Sequence, residues 1–128
     1  MPAEAITRSV RMSPRKVSVV ASLVRGRRVD DALAILEHTP RRSAGAVRKT
    51  LLSAKANAEH NHSYKPDSLI ISEVTVTAGP RYRRYRAAAR GRALRYERKT
   101  SHIKVVVDGD KRAAKKPTAT PKTTEEKK

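Results

Sequence analysis

Apolar residues near the start of the chain recur first at every second position and then at every third or fourth. Ile6, Val10 and Met12 share one parity of 5–12, with Arg8 among them, which predicts a short strand. Ser13 and Pro14 then open a helix, as an N-cap and a residue suited to the first turn. Val17, Val20, Leu23 and Val24 fall on one face of it, and Gly26 is its stop. A second helix reads VDDALAILEHT, with Asp30 as its expected cap and Ala32, Leu33 and Leu36 as its buried stripe. Thr39-Pro40 closes that helix and opens the next.

The third helix is expected from about Pro40 to Asn61. Ala44, Val47, Leu51, Ala54 and Ala58 are spaced as one amphipathic stripe, mostly of alanine, so its neighbours can approach closely. At 1.5 Å per residue it is roughly 30 Å long. Residues 68–78 and 101–107 read as strands. Ile70, Val74 and Val76 share one parity of the first, and Ile103, Val105 and Val107 share one of the second. The order strand, three helices, strand, arm, strand predicts an α+β fold: three helices packed on a small antiparallel sheet, with one long protruding β-hairpin.

The arm is the stretch that fits neither period. Residues 80–99 hold nine basic side chains and one acid, Glu97. Arg81, Arg83, Arg84, Arg86, Arg90, Arg92, Arg95, Arg98 and Lys99 line two flanks of a turn near Ala89-Arg90-Gly91. Flanks of about eight residues reach roughly 25–30 Å. A lone ribbon is marginal in water, and this one repels itself, so order is expected only among phosphates. Eight of its nine cations are arginine, whose planar fork grips phosphate in a bidentate manner and stacks on bases. Tyr82, Tyr85 and Tyr96, three of the four tyrosines in the chain, lie here, placed to stack on splayed bases. Ala87-Ala88-Ala89 and Gly91 keep the tip slim.

Composition sharpens this picture. The 128 residues carry 30 Lys and Arg against 12 Asp and Glu, a net charge of +18, with no Phe, Trp or Cys. Leu, Ile and Val number 24, a proportion that in so charged a chain signals disorder. Yet 23 of them lie in the 90 residues outside 80–99 and 111–128, while those two segments carry +13 of the charge. The expected division is therefore one globular domain over 1–110, including the arm 80–99, and a basic low-complexity tail over 111–128. The missing cysteines exclude a disulfide scaffold, a thiol nucleophile and a Cys-ligated zinc. No apolar run is long enough to span a membrane. The N-terminus MPAEAITRSV reads as neither a secretory signal nor a transit peptide. A cytoplasmic chain with a nucleic-acid partner is the expectation.

Elsewhere the sequence offers little chemistry. Arg15 and Lys16 at the start of the first helix, and Arg25, Arg27 and Arg28 at its end, are further candidate RNA contacts. His60 and His62 stand two apart and do not share a helical face, so no metal site is expected. Asn57, His60 and Asn61 are read as helix-capping or RNA-facing, and His102 as structural or RNA-facing. Asp30/Asp31 suit a helix N-terminus and Asp108/Asp110 a turn. No Gly-rich phosphate loop and no acid–base pair argue for catalysis. A free-standing nucleic-acid binder and a nuclease are the competing readings. The shaped insertion argues against the first, and the second requires metal-dependent cleavage.

Four stretches resemble a known family, large-subunit ribosomal protein twenty-two in its bacterial form. They are MSPRKVSVVASLVRGRRVDDALAIL at 12–36, LLSAKANAEHNH at 51–62, Gly79-Pro80, and GRALRYERKTSHIKVVV at 91–107. The resemblance covers roughly 5–107. It implies a small α+β domain on the outside of the large subunit near the tunnel opening. It also implies a hairpin, here 80–99, that reaches between segments of ribosomal RNA, with its tip near 88–91 in the wall of the nascent-peptide exit tunnel. The implied partners are large-subunit ribosomal RNA, which the family helps to assemble, neighbouring ribosomal proteins, and the nascent peptide. No cofactor, metal, small-molecule substrate or membrane is implied. One departure stands out: where the family commonly has Pro-Arg-Ala before the tip, this chain has Ala87-Ala88-Ala89. A rigid proline and one cation are missing there, with Arg86 and Arg90 placed to compensate.

Overall fold

The computed structural model of the chain describes residues 2–111. All of the expected basic tail except Lys111 lies outside the described residues. The elements are β1 (Ala3–Val10), α1 (Pro14–Val24), α2 (Val29–His38), α3 (Arg42–His60), β2 (Ile70–Ala87) and β3 (Ala93–Asp108). The three strands form one antiparallel sheet in the order β1-β3-β2. The helices cover one face of it. α1 and α3 lie on the strands, and α2 packs against both.

The helical stripes behave as their spacing predicts. Ala44, Val47, Leu51, Ala54 and Ala58 are all buried, as are Val17, Val20 and Val24 of α1. They meet Ala3, Ala5, Ile71, Val74, Ile103, Val105 and Val107 of the sheet in one cluster. Each large aliphatic side chain buried this way contributes about 1.5–3 kcal/mol. Leu23, expected on the buried face, is 42% exposed, because α1 meets the sheet through a narrower stripe centred on Val17, Ala21 and Val24.

Strand parity is where the pattern misleads. Ala3 and Ala5 face the core, while Ile6 is half-exposed. The cause is register: Ala5 pairs with Val105 and Ala3 with Val107, and cross-strand partners share a face. Ser9, at φ 55°, then marks a shift between Thr7 and Val10 that returns Val10 to the core edge opposite Ser101. In β2 the inward residue is Ile71, not Ile70. Ser72 is an extra residue between the pairs Ile71–Val107 and Glu73–Val106, and this bulge restores Val74 to the core.

Two helix starts also differ from expectation. Asp30 does not cap α2, whose N-cap position is Arg28. The Val29 N–H is already taken by the Leu69 carbonyl at 3.0 Å, and the Asp30 carboxylate instead accepts from Lys55 of α3 at 2.7 Å. α3 starts at Arg42 rather than Pro40, since the Arg41 N–H turns back to the Thr39 carbonyl and leaves Arg41 extended. Ser13 and Pro14 do occupy the N-cap and first positions of α1, though the serine hydroxyl makes no capping bond.

Candidate nucleic-acid interface

The arm is the outer half of β2 and β3. Their ladder runs without a break from the pair Arg81–Lys99 to the pair Ala87–Ala93. It is therefore not the lone ribbon of the sequence reading: its base is fixed by a three-stranded sheet with a covered face. At about 3.3 Å per residue, the paired part projects roughly 20–25 Å.

Alternation divides its side chains between two faces. Tyr82, Arg84 and Arg86 share one face with their partners Arg98, Tyr96 and Leu94. Arg81, Arg83 and Tyr85 share the other with Lys99, Glu97 and Arg95. On the first face Arg84 lies over the Tyr82 ring at 5.9 Å, and Arg86 and Arg98 flank Tyr96 at 5.6 and 5.5 Å. On the second, Arg95 lies 5.9 Å from Tyr85 and donates to its hydroxyl at 3.4 Å. Each exposed stack is worth about 0.5–1 kcal/mol. Their larger effect is to hold guanidinium groups in place along an exposed ribbon. Glu97, the arm's one acid, meets Arg81 at 3.6 Å. The other cations of the arm have no anionic partner among the described residues.

At the tip, Ala88 N–H donates to the Arg92 carbonyl at 2.8 Å. Arg90 and Gly91 both take positive φ, at 58° and 70°, as a tight hairpin turn of the primed type requires. The turn predicted at Ala89-Arg90-Gly91 is thus the observed one.

Three hollows surround the base of the arm. One brings Arg15 of α1 against Arg81 and Lys99. A second gathers Lys16, Arg11, Arg41 and Arg42 beside Arg98 and Lys99. A third sets Arg11 and Arg42 opposite Tyr82, Arg84, Tyr96 and Arg98. Arg11, Arg15, Lys16, Arg41 and Arg42 are all exposed, and their side chains form no hydrogen bond or ion pair among the described residues. Of the helix cations named from sequence, Arg15 and Lys16 therefore join the arm.

Arg25, Arg27 and Arg28 do not. They sit at the far end of α1 and are engaged within the fold: Arg25 donates to the Val74 carbonyl at 2.8 Å, Arg27 to Leu23 at 2.8 Å, and Arg28 to Asp67. Sequence reading missed Arg11, Arg41 and Arg42. Their signal was the runs RM-SPRK and PRR beside predicted helix starts, which carry no period of their own.

The motif Thr100-Ser101-His102 is structural. The Thr100 hydroxyl donates to the Pro80 carbonyl at 2.7 Å, and His102 Nδ1 accepts from the Ser9 N–H at 2.9 Å. Asn57 ties α3 to β1 through the Glu4 carbonyl at 2.9 Å rather than capping the helix with its side chain. On the uncovered sheet face Lys104 meets Glu4 at 2.8 Å, and that carboxylate raises the lysine pKa.

The model of the family ribosomal protein L22p/L17e matches residues 5–108. The large ribosomal subunit protein uL22 of Oceanobacillus iheyensis is 51% identical over 107 residues, 84% of this chain and 95% of that protein. The uL22 of Herpetosiphon aurantiacus is 47% identical over 108 residues, 84% of this chain and 96% of that protein.

Proposed function

The chain belongs to the ribosomal protein L22p/L17e family, and on that premise we propose that its arm binds large-subunit ribosomal RNA, helps that RNA assemble, and carries its tip to the wall of the nascent-peptide exit tunnel. As a member of the family it is a non-enzymatic structural constituent of the large ribosomal subunit and acts in translation, in the cytoplasm. The observation that carries the RNA reading is the arm itself: a paired ribbon in which Arg84, Arg86, Arg95 and Arg98 lie on tyrosine rings and, among the described residues, have no anionic partner. Five further cations, unpaired among the described residues, ring its base. Polyanion binding relieves the self-repulsion of such a surface. A tip in which only Arg90 carries a long side chain among Ala87, Ala88, Ala89 and Gly91 is slim, which supports the tunnel placement and a contact with the nascent peptide.

The test is sedimentation. The protein is expected to stay with the large subunit through a high-salt wash, and recovery on chromosomal DNA or free in the supernatant overturns the proposal. In solution, contacts to about six to eight phosphates give a slope of log K against log[salt] of order −4 to −7.

A further inference from the structure

A hollow of about 810 Å³ opens where the arm meets the globular part. One wall carries Arg11 and Arg42. The other carries Tyr82 and Tyr96, with Arg84 over the first ring and Arg98 beside the second. A neighbouring hollow of about 590 Å³ shares Arg11, Arg42 and Arg98, so the two form one groove along the base of the arm. Tyr82 is 47% exposed and Tyr96 is half-buried, each held by an arginine rather than by the core.

We infer that this groove is a site for an unpaired segment of RNA, with phosphates on Arg11 and Arg42 and bases laid against Tyr82 and Tyr96. The inference rests on the RNA-binding reading and narrows it to one form of RNA. In an A-form duplex the bases are stacked on each other and only their edges, the phosphates and the 2′-hydroxyls are reachable. A groove meant for a duplex gains nothing from aromatic rings on one wall. An unstacked strand presents base faces to rings and phosphates to cations at once, and a guanidinium plane beside each ring widens the stacking surface. The groove is also wide enough for about one or two nucleotides, as pockets of several hundred Å³ are. The four side chains come from the β1–α1 link, the start of α3 and both arm strands, so the site exists only in the folded chain.

The experiment uses the full chain and two probes: an unstructured RNA of about ten nucleotides, the span of one single-strand site, and a duplex with as many phosphates. Anisotropy titrations compare Tyr82→Leu/Tyr96→Leu, Tyr82→Phe/Tyr96→Phe and Arg11→Ala/Arg42→Ala with the parent. The leucine pair is expected to weaken single-strand binding at least about tenfold and to leave duplex binding within about twofold. The phenylalanine pair, which keeps the rings, is expected to bind both probes like the parent, and this holds the test open even if the leucine pair misfolds. The arginine pair is expected to flatten the single-strand salt slope by about 1.4, the share of two phosphates. Equal losses on both probes would mean that the rings only steady arginines, and would overturn the inference while leaving RNA binding intact. So would an unchanged slope in the arginine pair. A parent protein that binds neither probe removes the RNA reading itself.

Discussion

Gly79 and Thr100 approach so closely that a Cβ on Gly79 would stand 2.5 Å from the Thr100 hydroxyl oxygen. That hydroxyl belongs to a buried side chain and donates to the Pro80 carbonyl at 2.7 Å. The contact sits at a bulge: Gly79 and Pro80 together oppose Thr100, between the pairs Ala78–Ser101 and Arg81–Lys99. Bulges bend the strand and increase its twist. These residues therefore set the angle at which the arm leaves the sheet, and with it the width of the hollows at its base.

Replacing Gly79 by alanine forces one side to move. Gly79→Ala is expected to lower the unfolding free energy by about 1–3 kcal/mol, the usual cost of overpacking. Thr100→Ala alone is expected to cost about 1 kcal/mol for its lost hydrogen bond. In the Thr100→Ala background, Gly79→Ala should cost at least about 0.5 kcal/mol less than in the parent, as contacting residues do. Urea denaturation of the four proteins reads this directly, and strictly additive losses would refute the contact.

Ser101 lies between Val10 and Ala78, fully buried, and its Oγ has no hydrogen-bond partner among the described residues. On either side of it, the Thr100 hydroxyl and His102 Nδ1 are both hydrogen-bonded. An unpartnered buried hydroxyl opposes folding, so Ser101→Ala is expected to leave stability unchanged or raise it by up to about 1 kcal/mol. A clear loss on thermal unfolding would contradict this.

Much of the fold was legible because helical stripes are local. Ala44, Val47, Leu51, Ala54 and Ala58 declare a buried face through spacing alone, and so do Ile103, Val105 and Val107. The parity of β1 and of the start of β2 was not legible. It depends on one residue inserted at Ser72 and on the shift at Ser9, and no local pattern distinguishes such an insertion from ordinary alternation. The arm was legible from charge density. Its base was not, because Arg11, Arg41 and Arg42 lie far from it in sequence and reach it only through the packing of α3 and the β1–α1 link. In the sequence, Arg25, Arg27 and Arg28 are equivalent to Arg15 and Lys16. A helix of eleven residues puts its two ends about 15 Å apart, and only one end meets the arm.

Arg90 is a non-glycine residue held at φ 58°, ψ 38°. Left-handed backbone costs a bulky residue about 1–2 kcal/mol, and asparagine followed by glycine suits this turn better. Arg90→Asn is therefore expected to protect the Ala88 N–H, which donates to Arg92, at least as well against hydrogen exchange. The same variant is expected to flatten the salt dependence of RNA binding by about 0.7–0.9, one phosphate. An unaltered slope would mean that Arg90 holds no phosphate and that its charge does not explain its presence at the turn.

The core cluster contains no residue of the arm, so the arm should be separable from the fold. Arg81 and Lys99 are directly paired, which lets a two-residue Asn-Gly turn join them in place of 82–98 with no change of register. The excision removes seven arginines, one glutamate and all three arm tyrosines but leaves Gly79, Thr100 and the bulge. The shortened protein is expected to unfold cooperatively, with a midpoint within about 5 °C of the parent, a shift of roughly 1 kcal/mol. Its RNA affinity is expected to fall by more than about a hundredfold at moderate salt, because most phosphate contacts and every stacking ring go together. Calorimetry and titration separate the two effects. A shortened protein that no longer melts cooperatively would show that the arm helps to build the domain. One that binds RNA as tightly as the parent would move the interface to the helices.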